Sequence, residues 1–188
     1  MKSTNNADTN FQLIIRSAEF ADTREISAIL ASSFYQLPQF IDWLYPFIRF
    51  TIGEDLRYRM RLATPNYCCL VALADNHEGL TLAGTVEISL RSTSWWTDSD
   101  RFPYISNLAV KRDYRRQKIA SKLLARCEQI AKDWGYEEMF LHVMESNYSA
   151  KQLYDRNEYQ IIQVKPSWEN LLPYNSPRLL LKKTIQSR

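Results

Sequence analysis

The fold is decided by residues 104–125, which read YISNLAVKRDYRRQKIASKLLA. Their pattern predicts a buried strand over 104–110, a basic turn over 111–117 and then an amphipathic helix. Apolar residues in this helix recur at spacings of three and four, as Ile119, Leu123, Cys127, Ile130 and Trp134. Gly135 follows the last of them, and a glycine there can take positive φ and end the helix.

The turn of this unit concentrates positive charge. Four lysines and arginines fall between residues 111 and 116, and Lys118 follows. The order of strand, turn and helix aims backbone N–H groups and the positive end of the helix dipole at one point, which favours an anion. So many cations favour a polyphosphate over a single carboxylate. The alternative is a surface turn that is merely basic.

Residues 115–120, RRQKIA, carry a family resemblance. They resemble the (Gln/Arg)-x-x-Gly-x-(Gly/Ala) signature of the GNAT superfamily of acyl-CoA-dependent N-acyltransferases, with Arg115 and Ala120 at its ends. The resemblance implies that amides of the turn bind the pyrophosphate of coenzyme A and that the preceding strand pairs with the pantetheine arm. The cofactor-binding residues that it implies are Leu108, Ala109, Val110, Arg115, Arg116, Gln117, Lys118, Ile119, Ala120, Ser121 and Asn147.

Lys118 departs from the signature, because it stands where the family has its first glycine. Glycine lets a phosphate approach the backbone with no Cβ in the way. We expect a lysine with helical φ and ψ at this position, which keeps its N–H as a donor while its ammonium group compensates for the crowding. On this basis, binding of coenzyme A survives the replacement.

A second motif follows at the distance that the family has. Asn147, Ala150, Leu153 and Tyr154 resemble its next conserved-type segment, and Asn147 can cap a helix. The resemblance implies that Tyr154 donates a proton to the departing thiolate, which a phenol with a pKa of ~10 can do at neutral pH. Tyr154 could also be a core aromatic. Glu158 stands where the family often has glycine, which predicts a different exit from the helix.

Two residues compete for the role of general base. His142 lies in a predicted strand directly before the Tyr154 helix, and an imidazole with an ordinary pKa of about 6.5 can take an ammonium proton. It could equally be a structural histidine. Glu87, in an otherwise apolar strand, is either exposed at an edge or a functional base, and we rank it after His142. Tyr104 stands near the position where histone-type members have a glutamate, so we do not expect that version of the mechanism.

Other apolar runs predict the remaining elements. We predict strands over 11–16, 67–74, 80–90, 138–144, 159–164 and 178–185, and helices over 19–34 and 54–62. The order β-α-α-β-β-β-α-β-α-β-β indicates a mixed α/β fold. The resemblance identifies it as GNAT-like, with a central mixed, mostly antiparallel sheet flanked by helices. We expect residues 1–10 to form a disordered leader and residues 11–188 a single N-acetyltransferase domain.

Aromatic residues are dense between positions 34 and 50. They either pack as ordinary helices or form a mobile cover over the acceptor, with Pro38 and Pro46 dividing the segment into short pieces. A polar loop over 91–101 carries Trp95 and Trp96, and it is either a solvated loop or a contact for an amine acceptor.

The composition is that of an ordinary globular protein, and the formal charge of +3 is too small to predict binding to nucleic acid or to a membrane. Cys68, Cys69 and Cys127 form neither a disulfide framework nor a zinc motif, so we expect buried, reduced thiols and no metal. Neither a secretory signal nor an apolar run of ~20 residues is visible, which makes a cytoplasmic enzyme the default.

These features predict an N-acetyltransferase that uses acetyl-CoA and acts on a protein N-terminus, a lysine or a small amine. Since no cysteine lies in a recognisable activated setting, we expect direct attack by the amine in a ternary complex and no covalent acyl-enzyme. We expect a monomer or a homodimer. The alternatives are a non-catalytic acyl-CoA-binding module and a nucleic-acid binder that uses the basic turn, although the latter lacks a stacking platform.

Overall fold

A seven-stranded sheet forms the centre of the computed structural model, which describes residues 11–34, 45–62, 66–76, 79–92, 101–165 and 177–185. Its strands are β1 (Gln12–Ser17), β2 (Tyr67–Asn76), β3 (Gly79–Ser92), β4 (Arg101–Val110), β5 (Glu138–Met144), β6 (Gln160–Lys165) and β7 (Arg178–Thr184). They lie in the order β1-β2-β3-β4-β5-β7-β6. All neighbouring strands are antiparallel except β4 and β5, which are parallel.

Four α-helices cover the sheet in the part of the chain that is described. They are α1 (Thr23–Phe34), α2 (Tyr45–Arg61), α3 (Ile119–Asp133) and α4 (Tyr148–Arg156). The predicted order of strands and helices is confirmed, and so is the mixed, mostly antiparallel sheet with flanking helices. Gly135 ends α3 as predicted, with φ of 83°.

Each face of the sheet carries its own hydrophobic core. The core under α3 and α4 includes Leu70, Val86, Ile88, Ile119, Leu123, Leu141 and Tyr154. The core under α1 and α2 includes Ile26, Leu30, Leu56, Cys69, Val71 and Ala109. Neighbouring residues of β2, such as Leu70 and Val71, therefore enter opposite cores, which explains why this strand reads as a continuous apolar run.

The parallel strands β4 and β5 share only two register pairs, Tyr104 with Phe140 and Ile105 with Leu141. Beyond Ile105 the two strands are no longer paired. In the same region β4 bulges, because its register with β3 shifts between Thr85 and Glu87 and Asn107 has φ of 54°. We call this place, where β4 and β5 part, the seam.

One prediction about the first half of the chain needs correction. Helix α2 begins at Tyr45 and not near residue 54. Pro46 is the second residue of α2, in the first turn, where no backbone N–H is needed for the helix. The leader over 1–10, Pro38 with most of the aromatic segment, and the loop with Trp95 and Trp96 lie outside the described residues.

Candidate active site

The basic turn between β4 and α3 has a specific backbone shape. A short 3-10 turn at Arg112–Tyr114 leads to Arg115, and then Arg116 and Lys118 both take positive φ, 65° and 61°. The expectation of helical φ and ψ at Lys118 is therefore wrong. Lys118 adopts the left-handed conformation that a glycine would adopt there, and α3 begins at the next residue. Left-handed residues that alternate with others direct successive N–H groups into one concavity, which suits an anion.

Gly84 on β3 lets the start of α3 sit close to the sheet. A Cβ at Gly84 would lie 3.0 Å from the carbonyl oxygen of Ala109 and 3.4 Å from Ile119 Cγ2. Ile119, the first residue of α3, is 1% exposed and packs in the core. The N-terminus of α3 can therefore pack at this distance from β3 because Gly84 has no side chain.

The side chains of the turn differ in their contacts. Arg115 Nε donates to the carbonyl oxygen of Val110 at 3.1 Å, which ties this arginine to the end of β4. Gln117 Nε2 donates to the carbonyl oxygen of Asp113 at 3.4 Å, while its Oε1 is buried and has no partner among the described residues. Arg116 and Lys118 are exposed, and within the described ranges neither forms an ion pair. Two cations of the turn are therefore available to a ligand.

Helices α3 and α4 are joined beside this turn. Asn157, at the end of α4, donates from Nδ2 to Ser121 Oγ at 3.1 Å. At the other end of α4, Asn147 Oδ1 accepts from the backbone N–H of Ala150 at 3.1 Å, so Asn147 caps the helix as predicted. Glu158 has φ of 65°, in the left-handed region that favours glycine. The predicted difference at the helix exit stays a prediction.

Tyr154 lies on the inner face of α4 and is 8% exposed. Its ring meets the ring of Tyr159 edge to face at 5.6 Å between centroids. Burial, with a smaller contribution from the nearby Tyr104, raises the pKa of Tyr154 to about 12. Among the residues that the structure describes, no group forms a hydrogen bond with the Tyr154 hydroxyl. This phenol is thus protonated at neutral pH and free to donate.

His142 on β5 contacts Tyr104 on β4 across the seam. The Tyr104 Oη and His142 Nδ1 atoms are 2.8 Å apart, a hydrogen bond whose direction depends on the imidazole tautomer. The guanidinium of Arg91 stacks on the ring of Tyr104, 3.6 Å from the ring centre. Tyr104 therefore connects Arg91, His142 and the neighbourhood of Tyr154.

Glu87 is 1% exposed, so the alternative of an exposed edge position is excluded. Its Oε2 accepts from Arg59 Nη1 at 2.6 Å and from Tyr67 Oη at 3.1 Å. Its Oε1 accepts from Asn107 Nδ2 at 2.7 Å. We call these four residues, with Asp55, which pairs with Arg59 Nη2 at 2.7 Å, the Glu87 cluster.

The Glu87 cluster links three elements of the fold. Arg59 belongs to α2, Tyr67 to the start of β2 and Asn107 to the bulge of β4. Burial, and next the charge of Glu87, raises the pKa of Tyr67 far above its ordinary value, so this phenol stays a donor. Both carboxylate oxygens of Glu87 are therefore occupied, and its charge is balanced by Arg59.

A cleft of about 580 Å³ opens next to this cluster. It lies between the end of α2, the end of β3 and the start of β4. Its lining residues are Arg59, Leu62, Asn66, Tyr67, Ser89, Leu90, Arg91, Ser92, Arg101 and Ser106.

The three cysteines are free thiols, as predicted. Burial raises the pKa of each of them, for Cys69 to about 12 with a further contribution from the charge of Glu87. None is therefore a thiolate at neutral pH, which disfavours a covalent acyl-enzyme.

Tyr104 contacts His142 and also influences the pKa of Tyr154, so these three residues are neighbours, whereas Glu87 lies two strands from β5. Sequence reasoning missed the partners of these residues. Tyr104 was set aside, and the Glu87 cluster was not foreseen. A signal existed for one contact, because antiparallel pairing of the predicted β3 and β4 brings Glu87 opposite Ser106, next to Asn107.

Comparison with known proteins gives a consistent result. The sequence profile of the Acetyltransferase (GNAT) family matches residues 34–159. The chain is 26% identical over 172 residues to GCN5-related N-acetyltransferase 10, chloroplastic, from Arabidopsis thaliana, which covers 86% of this chain and 67% of the relative. It is 27% identical over 128 residues to an N-alpha-acetyltransferase from Saccharolobus solfataricus, which covers 66% of this chain and 77% of the relative.

The fold has solved counterparts. One is the crystal structure of PaiA N-acetyltransferase from Thermoplasma acidophilum in complex with coenzyme A, with a TM-score of 0.67 and 20% sequence identity. The match covers 92% of this chain and 99% of that chain, and at this identity it shows the fold alone. In the described ranges, no helix is long and apolar enough to cross a membrane. Because the Arabidopsis relative is chloroplastic, the cytosol stays a prediction for this chain.

Proposed function

The chain belongs to the Acetyltransferase (GNAT) family, and we propose that it transfers the acetyl group of acetyl-CoA to a primary amine by direct attack in a ternary complex. Family membership makes it an acyltransferase with acetyl-CoA as the donor. The observation that carries the proposed reaction is Tyr154, whose ring is buried near Tyr104 and whose hydroxyl has no hydrogen-bond partner among the described residues. The neighbouring Tyr159 hydroxyl also lacks a partner there but is fully buried, so the position of Tyr154 near Tyr104 distinguishes the two.

The basic turn holds the donor in this proposal. Amides of the turn and the N-terminus of α3 accept the pyrophosphate, and the free cations of Arg116 and Lys118 add charge-assisted contacts. The left-handed backbone at Arg116 and Lys118 supports this role, because such residues direct neighbouring amides into one concavity. The unpaired edge of β4, Leu108 to Val110, remains available to the pantetheine arm, and Asn147 keeps its amide group as a donor.

Tyr154 is the proposed general acid. The amine nitrogen attacks the thioester carbon, and a C–N bond forms while the carbonyl oxygen takes the negative charge. When the intermediate collapses, the C–S bond breaks and the sulfur takes the electron pair. The thiolate then receives the proton of the Tyr154 hydroxyl. Because the pKa of Tyr154 is raised to about 12, this hydroxyl is protonated at neutral pH.

His142 is the proposed general base, and it acts together with Tyr104. With Tyr104 Oη donating to His142 Nδ1, the phenol gives its proton to the imidazole as it takes the ammonium proton. This route uses the 2.8 Å contact between Tyr104 Oη and His142 Nδ1.

Glu87 has a different role in the proposal. Its oxygens already accept three hydrogen bonds, from Arg59, Tyr67 and Asn107, and these contacts support a positioning residue more than a base. Through Asn107 it holds the bulge from which β4 turns away from β5. Base catalysis by Glu87 is the second candidate, and it would require one of these bonds to break in each cycle.

An amine panel tests the proposed function. Purified protein is mixed with acetyl-CoA and peptides with free N-termini, lysine-containing peptides or small amines, and free thiol and acetylated product are measured. We expect release of thiol that depends on one class of amine. A non-catalytic acyl-CoA-binding module would bind acetyl-CoA in a titration and release no thiol with any amine.

The same assay with His142→Ala tests the base. We expect a lower kcat, with a smaller loss at high pH, where the amine is already neutral. A loss that is independent of pH, with a lower melting temperature, would remove His142 from the mechanism and leave it a structural residue.

A further inference from the structure

We infer that the cleft next to the Glu87 cluster binds a carboxylate of the acceptor, so that the preferred acceptor is a small amine that carries a carboxylate, such as an amino acid. This inference rests on the proposed function and specifies its substrate class. The cleft has a volume of about 580 Å³, within the usual range for small-molecule sites.

The charged side chains among the described lining residues of the cleft are all arginines. They are Arg59, Arg91 and Arg101. The charge of Arg59 is already balanced, since its guanidinium pairs with Glu87 at 2.6 Å and with Asp55 at 2.7 Å. Arg91 forms no ion pair with any residue in the described ranges. Its charge is therefore available to a ligand.

The stacking of Arg91 prepares it for a carboxylate. Its guanidinium lies 3.6 Å from the centre of the Tyr104 ring, so the face of the group is in contact and its edges remain free to donate. Two parallel N–H donors on one edge match the two oxygens of a carboxylate. The hydroxyl groups of Ser89 and Ser106 line the same cleft and can supply further polar contacts.

The distance to the proposed base limits the size of the acceptor. Arg91 stacks on the ring of Tyr104, and the hydroxyl of the same tyrosine reaches His142 Nδ1 at 2.8 Å. A single tyrosine side chain thus separates the carboxylate site from the group that deprotonates the amine. Only a short molecule can place a carboxylate and an amine at this separation. An extended protein N-terminus carries no main-chain carboxylate so close to its amine.

Matched acceptors test the inference. The value of kcat/KM is measured for amino acids and for the corresponding amino-acid amides, which differ only in the carboxylate. We expect the acids to be better by about tenfold or more, as one charge-assisted contact provides. Arg91→Ala should remove this difference by lowering kcat/KM for the acids by about tenfold more than for the amides. An unchanged melting temperature would show that the variant is folded.

Two variants complete the experiment. Arg91→Lys keeps the charge without the planar group and should restore only part of the preference. Arg57→Ala, on α2 outside the cleft lining, is the matched control and should keep the parental preference. Equal kcat/KM for acids and amides, or an equal loss for both in Arg91→Ala, would overturn the inference. Preference for peptide N-termini over amino acids would overturn it as well.

Failure of the proposed function has a separate signature. If no amine is acetylated, the proposed function fails, and a thermal-shift titration with amino acids and their amides still decides the inference. Stabilisation by the acids that Arg91→Ala abolishes would support the carboxylate site. Equal response of the two proteins would reject it.

Discussion

The Glu87 cluster and the basic turn differ in how their polar groups are paired. In the cluster, the carboxylate of Glu87 is 1% exposed and accepts hydrogen bonds from three side chains. In the turn, Arg116 and Lys118 are exposed cations without an ion pair in the described ranges, and the Tyr154 hydroxyl on α4 has no partner there either. The polar groups of the first region are all paired within the protein, whereas the donors of the second region remain available to a ligand.

The difference separates groups that position from groups that bind or react. A buried charge whose oxygens are all occupied stabilises one arrangement of the backbone and is costly to disturb. A donor without a protein partner contributes little to the folded state and much to a ligand or a transition state. Changes in the Glu87 cluster should therefore alter stability first, and changes in the basic turn or at Tyr154 should alter kinetics first.

The largest effect is expected for Glu87→Ala. The change leaves Arg59 with only Asp55 and removes the acceptors of Tyr67 and Asn107, so the free energy of unfolding should fall by about 3 kcal/mol. Chemical denaturation monitored by circular dichroism measures this loss. Arg57→Ala, which removes an exposed ion pair of α2, is the control and should change stability by less than about 1 kcal/mol.

The milder Glu87→Gln variant tests whether the comparison holds for activity. As a positioning residue, Glu87 should leave the pH profile of kcat unchanged in this variant, although stability falls. Loss of the acidic limb of that profile in a folded Glu87→Gln protein would instead make Glu87 the base.

Tyr154→Phe should produce the opposite pattern. Removal of the hydroxyl should lower kcat by roughly 100-fold, equivalent to about 2.7 kcal/mol in the activation free energy. Stability at pH 7 should stay close to the parental value, because the hydroxyl has no partner to lose in the described part of the chain. Steady-state kinetics with a verified acceptor and thermal unfolding measure the two quantities. Near-parental kcat with chemistry rate-limiting would show that Tyr154 is a core residue.

The raised pKa of Tyr154 adds a dependence on alkaline pH. The folded-state pKa of about 12 lies above the ordinary value of 10.0, so the stability linked to this phenol is fully present below pH 10. It is lost as pH rises from 10 towards 12, where only the unfolded state ionises readily. Tyr154→Phe should therefore lose less stability than the parent over this interval.

Arg116→Ala sharpens the comparison within the turn itself. This exposed arginine has no protein ion pair in the described ranges, so its loss should raise the KM for acetyl-CoA by about tenfold with no change in melting temperature. Arg126→Ala, an exposed arginine of α3 outside the turn, should keep the parental KM. Arg115→Ala should also lower stability, because Arg115 Nε is bound to Val110. A parental KM for Arg116→Ala at physiological salt would place the pyrophosphate elsewhere.

The smallest effect is expected for Lys118→Gly. A lysine at φ of 61° carries the strain of a left-handed residue, and glycine removes it, so the protein should gain about 1 kcal/mol in stability. Acetyl-CoA binding should weaken slightly, since the ammonium group is lost while the direction of the amides is kept. Lower stability of the glycine variant would show that the Lys118 side chain, and not its backbone, shapes the turn.

Hydrophobic patterns within single segments predict most of the strands and helices of the fold. The apolar run of 67–74 and the periodicity after Lys118 predicted β2 and α3, because each reflects burial of one segment against the sheet. The start of α2 at Tyr45 was missed, since a proline reads as a break although the first helical turn tolerates it. Family resemblance placed Tyr154, whereas the contact of Tyr104 with His142 depends on the pairing of β4 with β5, which no single segment encodes.

The backbone of the turn was also beyond sequence reasoning. A glycine at these positions would have indicated positive φ from the sequence. Lys118 and Glu158 take positive φ although they carry a side chain. In both positions the surrounding structure decides φ. The cost is small enough for tertiary packing to outweigh it.

The seam also divides the sheet into two groups of hydrogen-bonded strands. Strands β1–β4 form one antiparallel ribbon and β5–β7 another, and between the ribbons only two register pairs continue the sheet. Hydrogen exchange in the free protein should accordingly be fastest for the strand ends that face the opening. Any ligand that fills this opening touches both ribbons, and its binding energy then adds to their cohesion. If the proposed acetyl-CoA site lies in this opening, binding of the donor should slow hydrogen exchange at the strand ends of both ribbons.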